Sequence, residues 1–268
     1  LLKDPIFNFF ESIIQAVEWK PDCAIISSPC TFHLEQALFL AKNNIPILIE
    51  KPVGDGNESA KSWQNLIELS TTVPIMVGYV FRHDDCFKKM KEFIKNLNFG
   101  KLIEVDSYCG SWLPNWRQNI DYSKSVSAKK NLGGGVLLEL SHDLDIVNSF
   151  FGPINIDYSS KFNTNLLDID VEDYAFIHGR SEFCDSISVR LNFCTKPEER
   201  FLKIRYSEGQ LFWNMVEGFI STKSSIGEEN VLYKSNVGKE YKFFMQLKNF
   251  FDFAFKNEKT LCSLEDGL

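Results

Sequence analysis

The chain changes its hydrophobic period part-way along. Residues 21–80 alternate short apolar runs with longer stretches of helical spacing. The runs at 23–26, 45–49 and 74–79 are too short for helices and suit strands buried on both faces. Between them, 32–42 turns Leu34, Ala37, Leu38 and Ala41 to one side, and 57–69 does the same with Ala60, Trp63, Leu66 and Ile67. A third helical stretch covers 84–97. Strand and helix in alternation predict parallel strands joined by right-handed crossovers. After Asn98-Phe99-Gly100 the period becomes two. Ile103, Val105 and Ser107 oppose Glu104, Asp106 and Tyr108, while Ile187, Val189, Leu191 and Phe193 oppose Ser188, Arg190 and Asn192. Similar runs lie near 154–159, 171–177, 201–206, 211–216 and 230–234, which predicts a mostly antiparallel sheet with one covered face. One helix over 136–151 interrupts these strands, and another over about 241–255 follows them. The expected fold is α/β. Residues 1–99 form the C-terminal half of a Rossmann-like parallel sheet, and 100–268 an α+β domain with a large, mostly antiparallel open sheet. The last helix is expected to pack back on the first domain.

Composition narrows the function classes. At 268 residues and 44% hydrophobic, the chain can bury a sizeable core. A net charge of −7 argues against nucleic acid or an anionic membrane as partner. No apolar run approaches the ~20 residues that a membrane-spanning helix needs, and no secretory signal pattern opens the chain. Seven cysteines (23, 30, 86, 109, 184, 194, 262) are scattered without a C-x-x-C, which signals neither a disulfide framework nor a zinc site. A reducing cytoplasm is the simplest compartment. The chain begins inside an amphipathic pattern over 4–18 without a methionine and stops abruptly at 265–268, so it reads as a piece of a longer protein.

Candidate chemistry gathers where ligands sit in open parallel sheets, beyond the carboxyl ends of the strands. Those ends read Ser27-Ser28-Pro29, Glu50-Lys51-Pro52 and Tyr79-Val80-Phe81-Arg82-His83. Loop ends are commonly polar, but three neighbouring ends carrying Ser, Lys, Arg and His favour a site. Lys51, at the mouth of an apolar strand, sheds part of its hydration, which suits proton transfer. A surface ion pair with Glu50 is the alternative. Further along, GGGVLLELSHDLDIVNSFF (133–151) places Val136, Leu137, Leu140, Leu144, Val147 and Phe151 on one helical stripe and Glu139, His142, Asp143 and Asp145 on the other side. That polar side is either solvated or an acid–base unit in which a carboxylate fixes the His142 tautomer. The glycines allow close backbone approach and open a helix N-terminus. Gly54-Asp55-Gly56-Asn57-Glu58-Ser59 imitates a dinucleotide fingerprint and is rejected. Asp55 and Glu58 would repel a pyrophosphate, and Tyr79 stands where a ribose-binding acid belongs.

SSPCTFH (27–33), EKP (50–52), GYVFRH (78–83) and LGGGVLLELSHDLD (132–145) together resemble the glucose–fructose oxidoreductase, inositol dehydrogenase and MocA-type oxidoreductases. The resemblance runs in order over nearly the whole chain. It implies a domain binding NAD or NADP, followed by an α/β domain whose open sheet often forms a homo-oligomer interface. It also implies hydride transfer between a nicotinamide and a carbinol carbon of a sugar or related compound. Carried over, Lys51 matches the lysine that contacts the substrate hydroxyl and the nicotinamide ribose, and His142 the catalytic histidine. Ser28, Pro29 and His33, with Ser27, Glu50, Pro52 and Arg82 on the neighbouring strand ends, fall along the cofactor. Trp116-Arg117 resembles a pair bordering the nicotinamide, and Arg117 with Tyr122 would position substrate. The stretch from SWLPNWR to LSH looks like the branch linked to surface-polysaccharide and nucleotide-sugar biosynthesis. Two departures stand out. Where many members carry an aspartate four residues before the histidine, Glu139 stands three before, so either Glu139 or Asp145 supports His142. The glycine-rich first half that would bind the pyrophosphate is absent from these residues, and a tail beyond 268 is missing by the family's usual ending.

Two rivals remain on the residues alone. One is a binding or regulatory protein on the same scaffold without cofactor chemistry. The other is a metal-dependent hydrolase using Glu139, His142, Asp143 and Asp145 as ligands, which requires those side chains to converge from around one helix.

Overall fold

The computed structural model describes residues 8–268. Part of the amphipathic stretch expected over 4–18 lies outside the described residues. Within them a short helix, α1, spans Ile13–Glu18 and is capped by Ser12, whose side chain accepts from the Gln15 amide.

Three strands, β1 (Ala24–Ile26), β2 (Ile47–Ile49) and β3 (Ile75–Val77), pair in parallel in that order. The apolar runs fold this way because both faces of the middle strand are covered. On one face Ile47 and Ile49 pack with Leu34, Ala37 and Ala41 of α2 (His33–Lys42) and Leu66 of α3 (Ala60–Ser70). On the other, Leu48 and Met76 meet Phe250. Phe250 belongs to the long C-terminal helix, Tyr241–Lys256. Ser59 caps α3 through the Ser62 amide, and Asp84 caps α4 (Asp85–Asn96) through the Cys86 amide. Near the end of the chain, Ser263 bridges Met76 in antiparallel fashion.

The second sheet has eight strands: β4 (Leu102–Gly110), β5 (Asn155–Phe162), β6 (Tyr174–Arg180), β7 (Ile187–Asn192), β8 (Glu199–Tyr206), β9 (Gly209–Asn214), β10 (Phe219–Ser224) and β11 (Glu229–Lys234). Their order is β11-β10-β9-β8-β4-β7-β6-β5, antiparallel throughout except for the parallel β4–β7 pair. The period-two reading matches seven of these strands and misses β10. Its FISTKS buries Ser221 and Thr222, hydroxyls that break the apolar alternation. On the covered face Val105, Val189, Leu191, Ile204 and Trp213 pack with Ile146, Val147 and Phe151. On the open face Tyr108, Phe201, Phe212 and Phe219 form a half-buried aromatic row, with Tyr108 and Phe201 stacked 5.6 Å apart.

The helix expected over 136–151 is two helices, α5 (Val136–Glu139) and α6 (His142–Phe151), and the terminal helix Tyr241–Lys256 is therefore α7. The break has a tertiary cause. In a continuous helix the Glu139 carbonyl would take the Asp143 amide. Here that amide bonds to Leu140 at 3.2 Å, and the Glu139 carbonyl accepts the Lys51 amine at 2.8 Å. A side chain from the parallel sheet thus takes the place of a helical hydrogen bond.

Candidate active site

The three parallel strand ends converge on the α5–α6 break. From β2, the Lys51 amine reaches the Glu139 carbonyl and lies 3.6 Å from the Glu139 carboxylate. Its partner is therefore Glu139, not Glu50. Burial pushes the Glu50 carboxyl up instead, and Gly78 at the end of β3 is packed tightly enough that a Cβ there would lie 3.1 Å from the Glu50 carboxylate. From β3, Tyr79 and Phe81 meet the His142 ring edge-on, with centroids 5.7 and 5.3 Å away. From β1, Ser28 donates its hydroxyl to Gln36 at 2.7 Å, while Ser27 is exposed and Pro29 leads into a 3-10 turn. The His33 ring joins two of these ends through backbone carbonyls at Ser28 and Pro52.

His142 lines a hollow of about 510 Å³ with Phe81, Arg200, Trp213 and Lys242. Phe81 lies under two cations, the Arg200 guanidinium at 4.2 Å and the Lys242 amine at 4.0 Å from its centroid. Burial holds the His142 imidazole well below its usual range, with Lys51, Arg200 and Lys242 adding to the effect, so it is neutral at pH 7. Its Nδ1 is buried without a protein partner. Lys51 is not on the wall of this hollow; its link to His142 runs through Glu139 and through its electric field.

The carboxylates read from the sequence as one polar face separate in space. Asp143 is fully buried and bound by Arg200, whose Nη2 donates at 2.7 Å. Asp145 is bound by Arg82 through Nε at 3.0 and 3.1 Å and Nη2 at 2.7 Å. Burial outweighs the pull of Arg82 and leaves the Asp145 carboxyl raised to about 6, so the pair is ionised at pH 7. Arg82 also donates to the Leu261 carbonyl at 3.0 Å. Arg82 and Asp145, expected at the cofactor and beside His142, are thus bound to each other. The four groups of the hydrolase reading do not converge. Among the described residues the one cluster with metal-ligand proximity is Asp84, Asp85 and Cys86, where Tyr233 and Ser235 already donate to Asp85.

Trp116, Arg117 and Tyr122 sit apart from the Lys51–Glu139 contact. They line a small hollow with Ser125 and Ser127, and Tyr122 accepts the Asp168 amide at 3.2 Å. Trp116 donates to Ser111 at 2.7 Å and, with Arg117, also borders a second hollow closed by Glu198. Glu198 lines the His142 hollow as well, so the two are neighbours. Arg200, Trp213 and Lys242 were not legible as site residues. Their strands and helix carry ordinary alternation, and no local motif singles them out. The Gly54–Ser59 loop turns its amides inward: the Glu58 carboxylate accepts from Asp55 at 2.8 Å and Gly56 at 2.9 Å. Those donors are not offered to a phosphate.

Residues 87–212 match the family described as GFO/IDH/MocA C-terminal domain. No curated protein matches the chain. Among solved structures it resembles UDP-N-acetylglucosamine 3-dehydrogenase from Acidithiobacillus ferrooxidans at 14% identity and TM-score 0.74, over 97% of this chain and 78% of that one. It is also similar to the WlbA dehydrogenase from Bordetella pertussis, solved with NADH and UDP-GlcNAcA. There the identity is 16% and the TM-score 0.75, over 96% of this chain and 77% of that one. A levoglucosan dehydrogenase solved with NADH and levoglucosan aligns at 16% identity and TM-score 0.77, over 91% and 73%. At these identities the likeness is one of fold.

Proposed function

We propose, from the match of residues 87–212 to the GFO/IDH/MocA C-terminal domain, that the chain is an NAD- or NADP-dependent oxidoreductase acting on a hydroxyl of a sugar or nucleotide-sugar. The observation that carries this reading is the Lys51 contact with the Glu139 carbonyl, which ties the strand-end loop to the end of α5, just before His142 opens α6. The residues present fit the nicotinamide end of such a cofactor, with the Lys51 amine on a strand-end edge. They do not offer a pyrophosphate cradle at Gly54–Ser59, where Glu58 occupies the amides. A bound nicotinamide would accept or return the hydride.

The protein's own groups handle the proton. Neutral His142 can accept the substrate hydroxyl's hydrogen bond and then its proton. Burial first, and then Lys51, Arg200 and Lys242, hold its basicity down in the resting site. An oxygen becoming anionic would offset those cations, raising the imidazole's basicity as the proton moves. Lys51, which is not on the wall of the hollow, would act on the same developing charge through its field, and Glu139 would orient the amine. Arg117 would position the remainder of the substrate from the adjoining hollow, with Tyr122 behind it in the small hollow that both line. A polysaccharide-biosynthesis role, assembly through the open sheet and a cytoplasmic setting belong to the same proposal. The fold likeness to two UDP-sugar enzymes and the aromatic open face support it.

The test is nicotinamide reduction by the full-length protein with free and UDP-linked sugars. Lys51→Ala and His142→Ala should each lower kcat by ~10²–10⁴-fold. Wild-type turnover in both variants would remove the proposed roles. Folded full-length protein that binds neither NAD nor NADP in calorimetry would favour the binding-protein alternative.

A further inference from the structure

His33 opens α2 and is 1% exposed, so its ring is almost closed to solvent. Both ring nitrogens face backbone carbonyl oxygens: Nε2 lies 2.7 Å from that of Ser28, and Nδ1 2.8 Å from that of Pro52. A carbonyl oxygen only accepts, so each nitrogen must carry a hydrogen to make its bond. A neutral imidazole has one N–H, and its bare nitrogen would set lone pair against lone pair at one of the two contacts. With hydrogens on both nitrogens the ring is cationic. Glu50 stands on the adjacent strand end, where burial pushes its carboxyl up and Lys51 and the ring of His33 act against that.

We propose that His33 is a positioning residue whose two N–H groups fasten the end of β1 to the end of β2, and so hold the Lys51 amine on α5. Pro52 follows Lys51 directly, and Lys51 reaches across to the Glu139 carbonyl. Anchoring the Pro52 carbonyl limits how far the backbone at Lys51 can drift. The strap gives His33 a purpose other than cofactor contact, since both nitrogens are already engaged. Its catalytic consequence rests on Lys51 acting as proposed above. A glutamine at this position could donate to one carbonyl only, because the other end of its amide is itself an acceptor.

Two measurements on the full-length protein test it. Ring nitrogen NMR of the folded protein should show both His33 nitrogens donating to the carbonyls, and a bare ring nitrogen would overturn the strap. His33→Gln should lower kcat by ~10–10²-fold with KM within about twofold, as displacement of a reacting group by ~1 Å does; an unchanged kcat would also overturn it. The NMR result does not depend on turnover, and it decides the question if His33→Gln does not fold. A bare nitrogen in an active enzyme removes the strap alone, whereas a doubly protonated ring in an inactive one removes the dehydrogenase reading alone.

Discussion

Replacing Asp145 by asparagine separates scaffold from chemistry at this site. The sequence allows Asp145 to support His142, but the structure gives it to Arg82, with the two side chains 3% and 8% exposed. At 2.7 Å and an effective dielectric of ~20, the Coulomb attraction is about 6 kcal/mol, much of it offset by desolvation of both ions. Removing one partner of a buried pair costs ~3–5 kcal/mol because the other charge stays buried. Asparagine keeps one acceptor oxygen and the Leu261 carbonyl still faces Arg82, so the lower end, ~3 kcal/mol, is expected. For a chain of this size each kcal/mol moves Tm by ~2 °C, giving a loss of ~6 °C. The assay pairs a thermal melt with steady-state kinetics below the transition. Asp145→Asn should lower Tm while kcat stays within about twofold. An Arg82→Met/Asp145→Leu double variant should recover most of the stability, because no buried charge is left unpaired; Asp266, 3.6 Å from Arg82, is 47% exposed and stays hydrated. An Asp145→Asn protein that melts like wild type but loses ~10²-fold in kcat would refute the assignment and return Asp145 to His142.

Two further outcomes follow from the same geometry. Burial holds His83 down at about 4, with Lys88 and Arg82 adding to the effect, against an ordinary 6.5. The unfolded chain therefore takes up a proton there that the folded chain refuses, and stability falls as pH drops from 6.5 towards 4. The separation is worth about 3 kcal/mol. Asp145, raised to about 6, works in the opposite sense. Denaturant titrations of wild type and His83→Leu across that window isolate the histidine: the variant should lack this part of the acid sensitivity, and parallel pH curves would contradict the assignment. Gly134→Ala should destabilise by more than ~3 kcal/mol and abolish activity, because its Cβ would collide with the Val126 and Ser127 carbonyls, which are backbone and cannot swing away. A soluble variant with wild-type Tm would show that the glycine run is not a packing requirement.

Much of the architecture was legible because burial imposes period. The apolar runs ending at Ile49 and Val77 are strands buried throughout, whereas the run ending at Ile26 is an edge strand that leaves Ile25 51% exposed, and the alternation from Ile103 onward is a half-covered sheet. EKP and the glycine run before His142 marked two parts of the site because both change local backbone or charge in ways that sequence spacing records. Partnership was not legible. Helical spacing put Asp143 and Asp145 beside His142, yet Arg200 lies 57 residues from Asp143 and Arg82 lies 63 residues from Asp145. Local pattern carries no information about contacts closed over such distances. The same holds for the α5–α6 break, which depends on an amine 88 residues away taking the Glu139 carbonyl. The sequence by itself determined most of the strands and helices, because each must hide its apolar face; β10, with its buried hydroxyls, and the α5–α6 break escaped it. Tertiary structure alone decided which charges neutralise each other and which remain to meet a ligand, because buried ions are paired by proximity in space.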